Sequence, residues 1–193
     1  MGCVKSKETT GTDSSQQNAK DNIGGGAPTL DPKLPFDNYR EFFTLKNYWK
    51  AVSRSKKAGC HMFKSYLKEN PNNFPMYKKI QKISLEDSDD VLMENKAFEN
   101  LASSYIQLFE DVVGDVEASP SDVSSACDRL IRVGQKHKAL DGINEESFKV
   151  MEGPFLNMVS EVLQDRFNEK AEGLFRKFFQ FCLKYIIDGF NST

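Results

Sequence analysis

The chain has 193 residues, enough for one domain of ordinary size and a tail, and too few for two sizeable cores. Lys and Arg number 26 against 28 Asp and Glu, so a formal charge of -2 leaves no net positive field and weighs against nucleic acid as a partner. No run approaches the ~18 apolar residues that cross a bilayer, and four scattered cysteines without a CxxC pair or a secretory leader are expected in a reducing cytosol.

Residues 1–36 are rich in Ser, Thr, Gln, Gly and Pro and poor in large apolar groups, so they are read as a flexible, disordered leader. The leader starts "MGCVKSKE", which fits Met-Gly-x-x-x-Ser/Thr: removal of Met1 would expose Gly2 for myristoylation. One such chain holds a protein to a membrane with an association constant of only about 10⁴ M⁻¹, so a second signal is expected. Cys3 is placed to supply it by palmitoylation, whereas Lys5 and Lys7 form a thin basic patch diluted by Glu8 and Asp13. Over residues 1–8 this start resembles the acylated leaders of Src-type tyrosine kinases, but no Gly-rich loop or catalytic Asp motif follows. The expected location is the cytoplasmic face of a membrane, the plasma membrane first, by lipid anchor.

From residue 37 to 190 apolar residues recur at three- and four-residue spacing without strand-like alternation, which predicts an all-α domain. The first helix is expected from Asp37 to Val52, with Phe42, Leu45, Trp49 and Val52 on its apolar stripe. A second covers about 55–70 and stops at "NPNNFP", where Pro71 and Pro75 forbid continuation. A long segment over 88–113 carries Val91, Phe98, Leu101, Tyr105, Phe109 and Val112 on one side. "GDVEASPSD" ends it, and the next helix runs to about Ala139. Two more are expected over 145–164, interrupted near Gly153-Pro154, and over the aromatic stretch 168–189.

With two histidines, multi-histidine metal sites are largely excluded. His137 sits near a helix C-terminus, four residues after Val133, where an imidazole on the apolar face could give a neutral nitrogen to iron. On this stretch alone the plainer account, a capping or solvent-facing histidine in a Lys-rich turn, is favoured. His61 lies two residues before Phe63, about 200° around a helix, so both cannot face one site. With Phe63 inward, His61 belongs at a surface or interhelical contact. "GGGAP" reads as linker and "EDSDD" as a solvated corner that caps the next helix. Cys60, Cys127 and Cys182 read as small core or helix-surface residues, and Lys136 and Lys138 as solvated lysines.

The ordered set Trp49, Gly59, Phe63, Leu67, Pro71, Phe74, Phe98, Leu101, His137, Ile143, Phe148 resembles the globin family over residues 38–189. The resemblance implies a globin fold of about seven to eight helices and haem b as cofactor. It implies that His137 is the proximal iron ligand. Phe63, Phe74, Leu101 and Tyr105 would enclose the distal side, Phe98 would also contact the cofactor, and Ile143, Phe148 and Met151 would line the proximal side. Leu101 falls where many globins carry a distal His or Gln, and a leucine cannot donate a hydrogen bond to a bound ligand. Tyr105, one turn later, could offer its hydroxyl or serve in core packing.

The expected function is therefore that of a membrane-anchored haem globin binding diatomic gases such as oxygen, in local oxygen or redox sensing or electron transfer, with an unidentified redox or signalling partner. A non-enzymatic role is expected. An oxygen storage or transport globin and a haemless, globin-like membrane adaptor stand as alternatives.

Overall fold

The computed structural model describes residues 28–192, and among these the regular structure is entirely helical. Gly2 and Cys3, the expected acylation sites, lie outside the described residues. Eight α-helices follow one another: α1 Tyr39–Arg54, α2 Ala58–Glu69, α3 Asp89–Glu94, α4 Lys96–Ala118, α5 Ser124–Lys138, α6 Glu145–Lys149, α7 Glu152–Leu163 and α8 Glu169–Asn191. Between α2 and α3 the chain makes two short 3-10 helices, Pro71–Met76 and Lys78–Ile80.

Local chemistry accounts for the boundaries. Asn38, not Asp37, caps α1 by accepting the Glu41 N–H. The long helix expected over 88–113 is divided at Asn95, whose side-chain oxygen accepts from the N–H groups of Ala97 and Phe98 at 3.1 Å each. An asparagine there starts a helix more readily than it continues one. Asn144 and Ser147 form a reciprocal capping box on α6. Pro154 lies in the first turn of α7, where its missing N–H costs no helical bond.

Trp49 of α1 is the hub of the core, with its ring 5.9–6.5 Å from those of Phe109, Phe155, Phe175 and Phe178 on α4, α7 and α8. Its indole N–H donates to Glu110, so the buried ring keeps a polar partner. Close helix approaches are set at Gly59, Gly134 and Gly189. A Cβ on Gly59 would strike the Ala102 carbonyl where α2 crosses α4, and one on Gly134 would strike the α8 backbone at Ile186 and Phe190.

Part of the stretch assigned to the leader belongs to this packing. Leu34 and Phe36 are buried, and Asp31 accepts the backbone N–H groups of Lys33 and Val123 at 2.9 and 3.0 Å. The Asp31 N–H in turn donates to the Pro120 carbonyl, tying this segment to the α4–α5 corner. Composition alone hides such a clasp, because it rests on one carboxylate meeting a distant turn.

Candidate functional site

A cavity of about 920 Å³ opens between α4 on one side and α5 and α8 on the other. Its walls come from the inward stripe of α4 (Ala97, Leu101, Tyr105, Leu108), from Val133 and His137 of α5, and from Phe179, Cys182, Leu183 and Ile186 of α8. The spacing along each helix is that of one face. The α5–α6 connection and α6 close one end with Ile143 and Phe148, followed by Met151. Tyr77, Lys78 and Lys79 of the 3-10 corner also line it. The walls are thus mainly apolar, with a few polar groups at chosen points, the usual make-up of a site for a flat organic ligand.

His137 is the one imidazole in this wall. Its Nδ1 lies 2.8 Å from the Val133 carbonyl oxygen. A carbonyl can only accept, so Nδ1 carries the ring proton and donates it, and Nε2 is left as the lone-pair nitrogen. The partner sits one turn back on the same helix, and the ring of Phe148 packs edge-on against the imidazole at 5.5 Å. Ring tautomer and orientation are therefore both constrained, as a metal-binding histidine requires. His61, the other histidine, faces elsewhere: its Nε2 is 3.4 Å from Asp89 and its Nδ1 3.5 Å from Glu161, an interhelical contact away from the cavity.

On the α4 side Leu101 and Tyr105 reach the wall. The Tyr105 hydroxyl lies 3.2 Å from that of Tyr77. Burial pushes the Tyr105 phenol up to about 12 and raises that of Tyr77 as well, so both are neutral hydroxyls at ordinary pH. Burial also raises the Cys182 thiol, which keeps it a neutral, weakly nucleophilic group.

Of the residues expected around the cofactor, the cavity brings together His137, Leu101, Tyr105, Ile143, Phe148 and Met151. Phe63, Phe74 and Phe98, also expected there, lie outside the wall of this cavity. Phe63 is fully buried behind the tyrosines, its ring 5.1 Å from Tyr77, 5.2 Å from Phe98 and 5.5 Å from Tyr105. Phe98, also fully buried, stands beyond it. Phe74 is half-buried and off this wall, while Tyr77, where the chain leaves 3-10 geometry (φ -90°, ψ 65°), lies on it. The contribution of α8 was also missed. Its aromatic and aliphatic residues cover most of the helix circumference, so periodicity singles out no cavity face.

The structure is thus an all-helical shell around a mainly apolar cavity, with one imidazole of fixed tautomer in its wall. The chain belongs to the globin family, whose sequence model matches residues 61–186. Among solved structures, it is similar to a hexacoordinated heme protein from an anhydrobiotic tardigrade, at 26% identity and a TM-score of 0.74, covering 84% of this chain and 99% of that one. It is also similar to the hemoglobin of the botfly Gasterophilus intestinalis, at 21% identity and a TM-score of 0.62, covering 79% of this chain and 98% of that one, a likeness of fold alone. No curated protein sequence matches the chain.

Proposed function

We propose that this chain is a haem-binding globin in which His137 is the proximal ligand and the face toward Leu101 and Tyr105 is open to a diatomic gas. The observation that carries this reading is the His137–Val133 hydrogen bond inside a mainly apolar cavity of about 920 Å³. The fit to haem b rests on the same site: room for a macrocycle, a neutral nitrogen donor, and Lys78 and Lys79 in the lining to face its carboxylates. When bound, the haem iron supplies reversible ligand binding or one-electron exchange. This chain's residues hold the imidazole, exclude water and set the polarity of the facing wall. With His61 paired to Asp89 and Glu161, no histidine is on hand to fill the sixth position, in contrast to a bis-histidine site.

We further propose that the domain, residues 37–190 by sequence, is tethered to the cytoplasmic face of a membrane through acyl chains on Gly2 and Cys3, and serves local oxygen or redox sensing or electron transfer. The Met-Gly-x-x-x-Ser start supports this reading, since two chains are needed for stable attachment. Absorption spectra of the ferric and ferrous protein test the haem reading. A Soret band that changes between wild type and His137→Ala is expected, and a protein that takes up no haem would end it. For the tether, Gly2→Ala and Cys3→Ser fusions should leave the membrane fraction that the wild type enters. Identical distributions of all three would reject the anchor.

A further inference from the structure

Away from the cavity, the outer side of α1 has a composition that core packing does not explain. At 100° per residue, Arg40, Phe43, Asn47, Lys50 and Arg54 fall within an arc of about 80°, and all five are exposed. The arc lies opposite Phe42, Leu45, Trp49 and Val52, which are buried in the core. From Arg40 to Arg54 the stripe runs about 21 Å along the helix. It holds cations and a phenylalanine, and no carboxylate.

Two observations set this face apart from an ordinary solvated one. The first is uncompensated charge. At its flank Lys46 pairs with Glu117 at 2.6 Å, past its end Lys57 pairs with Asp90 at 2.9 Å, and Asp37 and Glu41 are taken by Lys177. Arg40, Lys50 and Arg54, with Lys56 just beyond the helix, form no ion pair among the described residues. This side therefore carries positive potential although the whole chain has a formal charge of -2. The second is Phe43, 45% exposed and the one exposed phenylalanine among the described residues. The Tyr39 ring lies 6.4 Å from it, and the Lys46 ammonium sits 5.0 Å over its centre. An aromatic ring set among lysines and arginines suits the boundary between lipid headgroups and acyl chains.

Resting on the membrane reading above, we propose that the outer face of α1 docks on anionic lipid headgroups, with Arg40, Lys50 and Arg54 against the headgroup charge and Phe43 in the interface. One myristoyl chain holds a protein only marginally, and a basic patch is one of the second signals that make attachment stable. Lys5 and Lys7 alone are a thin patch, and α1 adds three cations. Each cation near an anionic leaflet strengthens binding about fivefold. The chain from Cys3 to Tyr39 reaches at most about 130 Å, so acyl chains at its start leave α1 free to meet the bilayer that holds them. No residue of α1 lines the cavity, so the docked surface takes no part in the site.

The test is partition of the full chain onto vesicles, with Cys3→Ser in every sample and Gly2 either myristoylated or left unmodified. The myristoylated chain should bind mixed phosphatidylcholine–phosphatidylserine vesicles about 100-fold more tightly than pure phosphatidylcholine. Arg40→Gln/Lys50→Gln/Arg54→Gln should remove that preference and return binding to about 10⁴ M⁻¹, the value of one acyl chain. Phe43→Ser should weaken binding about tenfold on the mixed vesicles. Arg40→Lys/Arg54→Lys keeps the charge and should stay within about threefold. Arg132→Gln/Arg166→Gln/Lys170→Gln removes equal charge from exposed positions elsewhere and should also change binding less than about threefold. Equal binding to the two vesicle types, or equal losses from the two triple variants, would overturn the proposal. Binding within about twofold of wild type in the α1 triple variant would overturn it as well, and is the result expected if an acidic protein covers this face instead. Gly2→Ala and Cys3→Ser fusions that leave the membrane fraction, with α1 variants that bind vesicles as wild type does, sink this inference alone. A chain that takes no myristate on Gly2, while the unmodified form still prefers mixed vesicles through α1, sinks the acyl anchor alone.

Discussion

The two sides of the cavity are built by different means. On the α5 side, the lone-pair nitrogen of His137 is set by a carbonyl four residues earlier in the same helix, 2.8 Å away. On the α4 side, two phenol hydroxyls meet 3.2 Å apart, one from the 3-10 corner and one from α4, packed against a phenylalanine from α2. The first arrangement exists as soon as α5 is helical. The second exists only when three elements have met. A site can thus combine a locally determined ligand with a facing wall that depends on tertiary packing, and the two should respond differently to mutation.

The largest expected separation comes from Phe63→Ala. Removing this fully buried ring should cost about 3–5 kcal/mol in denaturant unfolding and scatter the tyrosine pair. A loss below about 1 kcal/mol would mean that the α4 side does not depend on the packing behind it. Gly134→Ala probes the other side. Its Cβ would meet the backbone of α8 at Ile186 and Phe190, which cannot yield as a side chain can, so a loss of about 2–3 kcal/mol is expected. The His137–Val133 bond should survive in the folded fraction, seen as an unchanged Nδ1–H signal by nitrogen-15 NMR, because it lies within one helix.

A smaller effect is expected at the clasp below both walls. Hydrogen bonds from the Lys33 and Val123 backbone N–H groups hold the Asp31 carboxyl below its ordinary 3.8. A carboxyl lowered on folding stabilises the folded state above its ordinary value, and that contribution fades as pH falls through the lowered one. Asp31→Asn should therefore lower Tm by about 2–4 °C at neutral pH, with the gap to wild type closing below about pH 4. A gap that widened in acid would contradict the assignment. Smallest of all should be Phe74→Ala: the ring is half-buried and off the cavity wall, so fluoride and carbon monoxide binding should stay within about twofold of wild type. A larger change would return Phe74 to the site.

Much of the fold was legible because helices announce themselves locally. The stripe Phe42, Leu45, Trp49, Val52 and the break at Pro71 follow from periodicity and backbone chemistry. Asn95 could have been read as a cap splitting the long segment, but an apolar stripe ran past it on both sides. Placement was legible where a rare residue carried it: the ordered resemblance, not its own stretch, put His137 at the cavity, and His61 was expected at a surface or interhelical contact, where it meets Asp89 and Glu161. Where abundant residues carried it, among 15 phenylalanines and six tyrosines, sequence spacing could not say which rings face the cavity and which stand behind it.

By itself, the sequence determined that the domain is helical, that residues near both ends of α4 and the end of α5 share inward faces, and that one histidine sits one turn after Val133. These are consequences of a 3.6-residue repeat and of interactions within a few residues along the chain. Only the tertiary structure decided that Tyr77 lies on the cavity wall, that Phe63 packs behind it, that α8 completes it, and that Asp31 ties part of the apparent leader to the α4–α5 corner. Those outcomes turn on helix rotation and on the meeting of distant segments, where a displacement of one side-chain width exchanges a wall residue for a core residue and no local pattern records the choice.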